Sequence, residues 1–310
     1  MTPLAAYIAP GAGRPGLWRV GLSIAIVAVF WIGFTAVCLA AVVLWQIAGG
    51  APTAEALRVL DRLMEARDPA SIALMLATFL GIWIGLWVAL RYLHRQPFAT
   101  LYAPEGRIRR LDFAVGLLLG SAVFAISVVL ALAVGGMPER SELDIGTWAL
   151  WFVPIVVLVF FQASGEELIF RGYLLQQLAR RYANPLVWAL LPSALFGLLH
   201  LGGDVTGVAG LLYALATLLF GISAALLVWR TGSLAAAMGL HTAINILGLT
   251  VLGLDGVLSG AQLFSLRPEG IEMLLIADCL ANAALLLYLV SPACPVGASG
   301  SVESGPASDR

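Results

Sequence analysis

The stretch from Thr147 to Tyr182, TWALWFVPIVVLVFFQASGEELIFRGYLLQQLARRY, decides how this chain folds. It opens as an unbroken apolar run, and its helical periodicity continues past the first charges at Glu166 and Glu167. At about 1.5 Å per residue, Thr147 to Arg181 makes about 51 Å of helix against a hydrocarbon core of about 30 Å. Its later turns must therefore tilt, bend or lie at the membrane interface. The surrounding chain agrees with a bilayer setting: of 310 residues, 61% are hydrophobic and only 11% charged, more apolar surface than one water-soluble domain can hide. Continuous runs of this length suit single helices rather than membrane strands, so the fold class is all-α and polytopic, and strands are not expected.

Counting outward from this stretch, charge-free runs near 20–47, 69–90, 113–135, 147–165, 185–200, 208–229, 233–252 and 271–291 give about eight transmembrane helices. The organisation expected is an N-terminal membrane region with three spans over 1–146, a core over 147–252 in which spans four to seven form a four-helix bundle, and a C-terminal span over 253–291. A tail over 292–310, rich in Pro, Gly, Ser and Ala, reads as disordered. Apolar residues at helical period over 54–67 predict a short interfacial helix in the first loop. The first apolar run is too long for a secretory signal and has no A-x-A-like cleavage site, so it reads as a retained span.

The 17 basic residues are all Arg and balance 18 acidic ones to a net charge of -1, without a basic run. A nucleic-acid partner is not expected. Positively charged short loops stay on the cytoplasmic side. Arg91, Arg95, Arg107, Arg109 and Arg110 set that side, which also receives Arg14, Arg19, Arg180, Arg181 and Arg230, so both termini read as cytoplasmic. Arg58, Arg62, Arg67, Arg140 and Arg267 fall on the other side. Cys38, Cys279 and Cys294 form no CxxC and suggest neither zinc knuckle nor disulfide.

A charge at membrane depth costs several kcal/mol, about 2.5 to 3.5 on insertion scales, and is kept where it faces protein or water. Glu166 and Glu167 therefore need a reason. Adjacent helical residues point about 100° apart, whereas residues four apart share a face. Glu167 pairs with Arg171 on that rule, leaving Glu166 on a neighbouring face with Gln162, Tyr173 and Gln177. Phe196 and His200 are four apart near the end of span five, and His241 and Asn245 are four apart in span seven. Asn245 is placed to orient His241 or to donate to a substrate. His94, among the loop arginines, reads as solvated. Counted from the turn between spans four and five, Glu166 and His200 lie at matching heights, about 22 Å of helix each, and His241 at about 16 Å. One carboxylate and two imidazoles can thus converge in one pocket.

Such a set supports attack by water through two routes. Glu166, His200 and His241 bind Zn²⁺ and activate a metal-bound water, or Glu166 itself takes the proton while His and Asn side chains hold the oxyanion. No HExxH motif makes the zinc assignment specific.

At these residues the sequence resembles the CPBP family of intramembrane proteases, which includes eukaryotic CAAX prenyl endopeptidases and bacterial immunity or bacteriocin-processing homologues. EELIFRG from Glu166 to Gly172 is similar to EExxxR, FGLLH from Phe196 to His200 to FxxxH, and HTAIN from His241 to Asn245 to HxxxN. The resemblance covers 147–252. It implies an endopeptidase in which Glu166 activates water, His200 assists, His241 and Asn245 stabilise the oxyanion, and Glu167 with Arg171 holds the helix and tunes Glu166. Phe196 is the candidate substrate-binding residue. The partners implied are the lipid bilayer and a membrane-associated peptide or protein. The Arg-only, Ala- and Gly-rich composition points to a bacterial cytoplasmic membrane, where CAAX prenyl specificity does not carry over. Two other classes compete: a proton-coupled transporter, to which Asp278 and Asn282 would belong, and a non-catalytic immunity or scaffold protein of the same fold.

Overall fold

The computed structural model describes residues 1–10, 16–134, 137–201, 205–254, 258–266 and 271–297. Arg14 and Arg267 lie outside them. Among the described residues the helices are α1 (Pro3–Ile8), α2 (Leu17–Ala48), α3 (Thr53–Glu65), α4 (Pro69–His94) and α5 (Arg110–Ala133). There follow α6 (Ile145–Ala179), α7 (Leu186–Leu198), α8 (Gly207–Thr231), α9 (Ala235–Thr250) and α10 (Ile271–Val290). The all-α, multi-pass membrane architecture is the one expected. Large apolar side chains such as Val29, Ile32 and Val37 on α2 point outward, the inverse of a water-soluble surface.

Six helices, α2, α4, α5, α6, α8 and α10, are long and apolar enough to cross a bilayer. The expected spans five and seven are shorter. At about 1.5 Å per residue, α7 and α9 reach only about 20 and 24 Å. Each is cut by its surroundings: α7 starts after Pro185 and stops just short of His200, while beyond α9 the backbone turns into a strand, with Phe264 N–H donating to the Val251 carbonyl at 2.9 Å. Both histidines of interest thus sit on, or just after, short helices.

Strands do occur, contrary to expectation, as three-residue pieces between helices. β3 (Phe264–Leu266) is central, pairing antiparallel with β1 (Pro138–Arg140) and parallel with β2 (Leu252–Leu254). Unbroken apolar runs mark spans and carry no information on the connections between them. This sheet and the 66–68 turn mark one end of the bundle: Gly260 N–H donates to the Ala66 carbonyl at 3.1 Å, and Trp148 Nε1 to the Thr250 carbonyl at 2.9 Å. The predicted loop helix is α3, which buries Ala56 and Val59 while Leu57 and Met64 are exposed.

Both ends of the chain meet at the other end. The Tyr7 hydroxyl of α1 donates to the Leu101 carbonyl at 2.6 Å, Gln176 Nε2 donates to the Tyr7 carbonyl at 3.3 Å, and Arg180 Nε to the Ile8 carbonyl at 2.6 Å. Burial pushes the Tyr7 phenol well above its ordinary range, so it remains a donor. Arg230 donates to the carbonyls of Leu289, Cys294 and Val296 at 2.7 to 2.8 Å. The disordered tail expected from 292 is therefore corrected for 292–297, whose carbonyls are spent on a buried-side arginine; 298–310 lie outside the described residues.

The short α9 is held by backbone-to-backbone approach to α5. A Cβ on Gly116 would strike the Ala236 carbonyl, one on Gly120 the Leu240 carbonyl, and one on Gly239 the Phe113 carbonyl. Small residues at such a crossing let two membrane helices touch along their backbones. Gly116→Leu is expected to destabilise the protein by at least about 1 to 3 kcal/mol, read as a lower unfolding midpoint in detergent. Gly33→Leu, where a Cβ meets open space, serves as the control and leaves the midpoint in place.

Candidate active site

Helix α6 delivers the glutamates. Asp144 caps it, its carboxylate accepting from Thr147 N–H at 2.9 Å, and the α-helical part runs to Glu167 before a π-helical stretch, Leu168–Leu174. An extra residue per turn rotates whatever follows relative to an α-helix. Arg171 still reaches Glu167, Nη1 to Oε1 at 3.0 Å, and both side chains are fully buried. Tyr173 does not share Glu166's surroundings as an α-helical count expects. It is turned to the far side, where its hydroxyl lies 2.9 Å from His94 Nε2. His94 is likewise no solvated loop residue, since it ends α4 and also stands 3.0 Å from Ser23 Oγ.

His241 joins the two glutamates. Its Nδ1 is 2.9 Å from Glu167 Oε1, and its Nε2 is 3.5 Å from Glu166 Oε2. Because a carboxylate accepts only, Nδ1 carries the proton and Nε2 is the atom turned to Glu166. Glu167 Oε1 thus accepts from both Arg171 and His241. The oxygen facing His241 Nε2, Glu166 Oε2, is buried without a hydrogen bond. A separation of 3.5 Å leaves it available to a bridging water.

Asn245 does not orient His241; Glu167 does. Asn245 Nδ2 instead donates to Gln162 Oε1 at 2.8 Å, and Gln162 adjoins Glu166. His200 follows the last turn of α7, with Nδ1 2.7 Å from the Phe196 carbonyl. That acceptor fixes the proton on Nδ1 and leaves Nε2 with its lone pair. Phe196 is almost fully buried and lies between the two histidines and Arg171: its ring centroid is 4.7 Å from that of His200, 6.0 Å from that of His241, and 4.7 Å from the Arg171 guanidinium carbon. Phe220 adds a second ring 4.8 Å from His241. Such rings favour the Arg171 guanidinium as a neighbour. Gly221 leaves the space this requires, for a Cβ there would come within 2.6 Å of Arg171 Nη2.

His200, His241, Asn245 and Phe196 border a cavity of about 250 Å³. Its opposite wall comes from α5 and α10, which the expectation of a core made by spans four to seven leaves out. Among the described residues, no three His, Cys, Asp or Glu side chains are placed to hold a metal ion. Glu166, His200 and His241 are not gathered as such a group in this arrangement.

Residues 147–247 match the family described as type II CAAX prenyl endopeptidase Rce1-like. The central segment, about a third of the chain, is similar to that family. It contains α6, α7, α8 and most of α9, hence all three motifs on which the resemblance was drawn. The chain is also 32% identical over 162 residues to the uncharacterized protein YyaK of Bacillus subtilis (strain 168), an overlap of 51% of this chain and 53% of that protein. The chain thus spans about half the length of the curated relative it matches. The Rce1-like segment accounts for the glutamate and histidine side of the cavity and leaves the α5 and α10 side unassigned.

Proposed function

We infer that this protein is an intramembrane endopeptidase that hydrolyses a peptide bond of a membrane-associated protein or peptide. The observation that carries this is Glu166 Oε2, buried without a hydrogen bond and 3.5 Å from His241 Nε2, which itself lines a cavity of about 250 Å³. In the reaction, a water held at Glu166 adds its oxygen to the scissile carbonyl carbon as Glu166 takes the proton. The carbonyl oxygen becomes an oxyanion. Asn245 has one amide hydrogen on Gln162 and a second to give to it, and His241 supplies Nε2–H when it carries a proton. Collapse of the adduct breaks the C–N bond, and the proton passes from Glu166 to the leaving nitrogen, with His200 Nε2 as relay. Glu167 and Arg171 position His241 and touch no substrate.

In this reading the protein lies in a bacterial cytoplasmic membrane with both termini in the cytoplasm, which agrees with the meeting of both chain ends and the 95–109 loop at one end of the bundle. Its substrate need carry no prenyl group. The experiment is cleavage of a mixed membrane-peptide library by purified protein in lipid, read by mass spectrometry, with and without a zinc chelator. Wild type is expected to cleave at an unchanged rate in chelator, and His200→Ala to slow cleavage by about tenfold to a hundredfold. Chelator-sensitive cleavage would overturn the metal-free step, and cleavage untouched by either His200→Ala or His241→Ala would overturn the site.

A further inference from the structure

The wall of the cavity facing His200 and His241 carries a second polar group that the chemistry above does not use. Asp278 and Asn282 of α10 and Ser127 of α5 all line it. Asn282 is 6% exposed and donates Nδ2 to the Asp278 backbone carbonyl at 2.9 Å, which fixes the amide so that Oδ1 is its free end. That Oδ1 has no partner. Ser127 is 8% exposed and stands beside the Asp278 carboxyl, and its hydroxyl oxygen makes no hydrogen bond of good geometry. No Arg or His among the described residues forms an ion pair with Asp278. The rest of that wall is apolar: Val123, Phe124, Leu274 and Leu275.

Unpaired polar atoms in an apolar wall are costly, and a membrane setting raises the cost. What these three share is accepting capacity. A carboxyl, an amide oxygen and a hydroxyl oxygen line the same wall of one cavity. The complementary group has several N–H donors on one atom and a positive charge, which describes an alkylammonium.

Resting on the endopeptidase reading, we propose that Asp278, Asn282 and Ser127 form a specificity subsite that takes an ammonium group of the peptide across the cavity from Glu166. The ammonium comes from a Lys side chain or a free amino terminus near the scissile bond. Seating it opposite the His200 and His241 wall fixes which peptide bond lies over Glu166. The subsite selects among substrates by leaving peptides without the cation facing an acceptor-rich wall, the unpartnered Asn282 Oδ1 included.

The test separates binding from cleavage. Glu166→Gln protein in lipid discs is exposed to a library of apolar helical peptides carrying one Lys at varied positions, a matched norleucine library, and amino-terminally acetylated versions of both. Retained peptides are read by mass spectrometry. Lys or free-amine members are expected to be enriched about tenfold over their norleucine or acetylated counterparts. Adding Asp278→Asn abolishes the preference, and Ser127→Ala, which removes only the hydroxyl, weakens it about threefold. Acetylation assigns the source: retention of free-amine members over acetylated ones names the amino terminus, and a Lys-over-norleucine preference among acetylated members names Lys. Equal retention of all four libraries, or a preference that survives Asp278→Asn, overturns the subsite. Because retention is measured without turnover, these outcomes are independent of whether wild type cleaves, which the chelator experiment reads.

Discussion

Glu166→Gln is expected to abolish cleavage, lowering the rate by about 10² to 10⁴ while peptide retention is unchanged. That range corresponds to about 3 to 5 kcal/mol in the barrier. The amide keeps the shape of the carboxylate and cannot take the proton of the attacking water. The same substitution is expected to leave the unfolding midpoint equal or raise it, because Oε2 is a buried acceptor with no hydrogen bond, and a neutral group there costs less desolvation than a carboxylate. Loss of turnover together with undiminished stability is the signature of a group retained for chemistry. A variant that still cleaves within about tenfold of wild type would remove Glu166 from the reaction.

Arg171→Met is expected to act in the opposite sense, through stability first. Glu167 and Arg171 are both fully buried and 3.0 Å apart. Removing one partner of a buried pair leaves an uncompensated charge, at about 3 to 5 kcal/mol. At roughly 2 to 4 °C per kcal/mol, the midpoint drops by roughly 10 °C. Arg171→Lys is not conservative here, since the guanidinium also lies over the rings of Phe170, Phe196 and Phe220. The double change Glu167→Gln with Arg171→Met is expected to recover much of the loss, because neither charge is then stranded. It would not recover activity, as His241 loses the carboxylate that holds its Nδ1. An Arg171→Met protein melting like wild type would show that the pair carries none of this load.

The helix-bearing residues of the site were legible because their spacing is local. Glu167 and Arg171 are four apart, so a helix alone makes them neighbours, and the charge-free runs around them announce the spans. Contacts set by long separations were not. His241 reaches Glu167 across 74 positions, and spacing offered Asn245 as its partner instead. Tyr173 was misplaced because a π-helical stretch changes the angle per residue, and a 3.6-residue count cannot register that. Asp278 was visible as an oddity in the last span, but only the packing of α10 against α5 brings it to the same cavity as His200. The shortness of α9 has its cause in strand pairing beyond Val251, and three-residue strands leave almost no periodic trace.

The docking of α1 also dictates an order of assembly. Its Tyr7 and Ile8 are made before their partners at Leu101, Gln176 and Arg180, which follow up to about 170 positions later. Pro3 lies against Gly232, later still. During synthesis the leading segment must therefore wait at the membrane surface until α8 has been inserted. Such distant pairing is slow to form, and it makes the first helix of the chain the last piece to be fitted, a latch that closes only on a completed bundle.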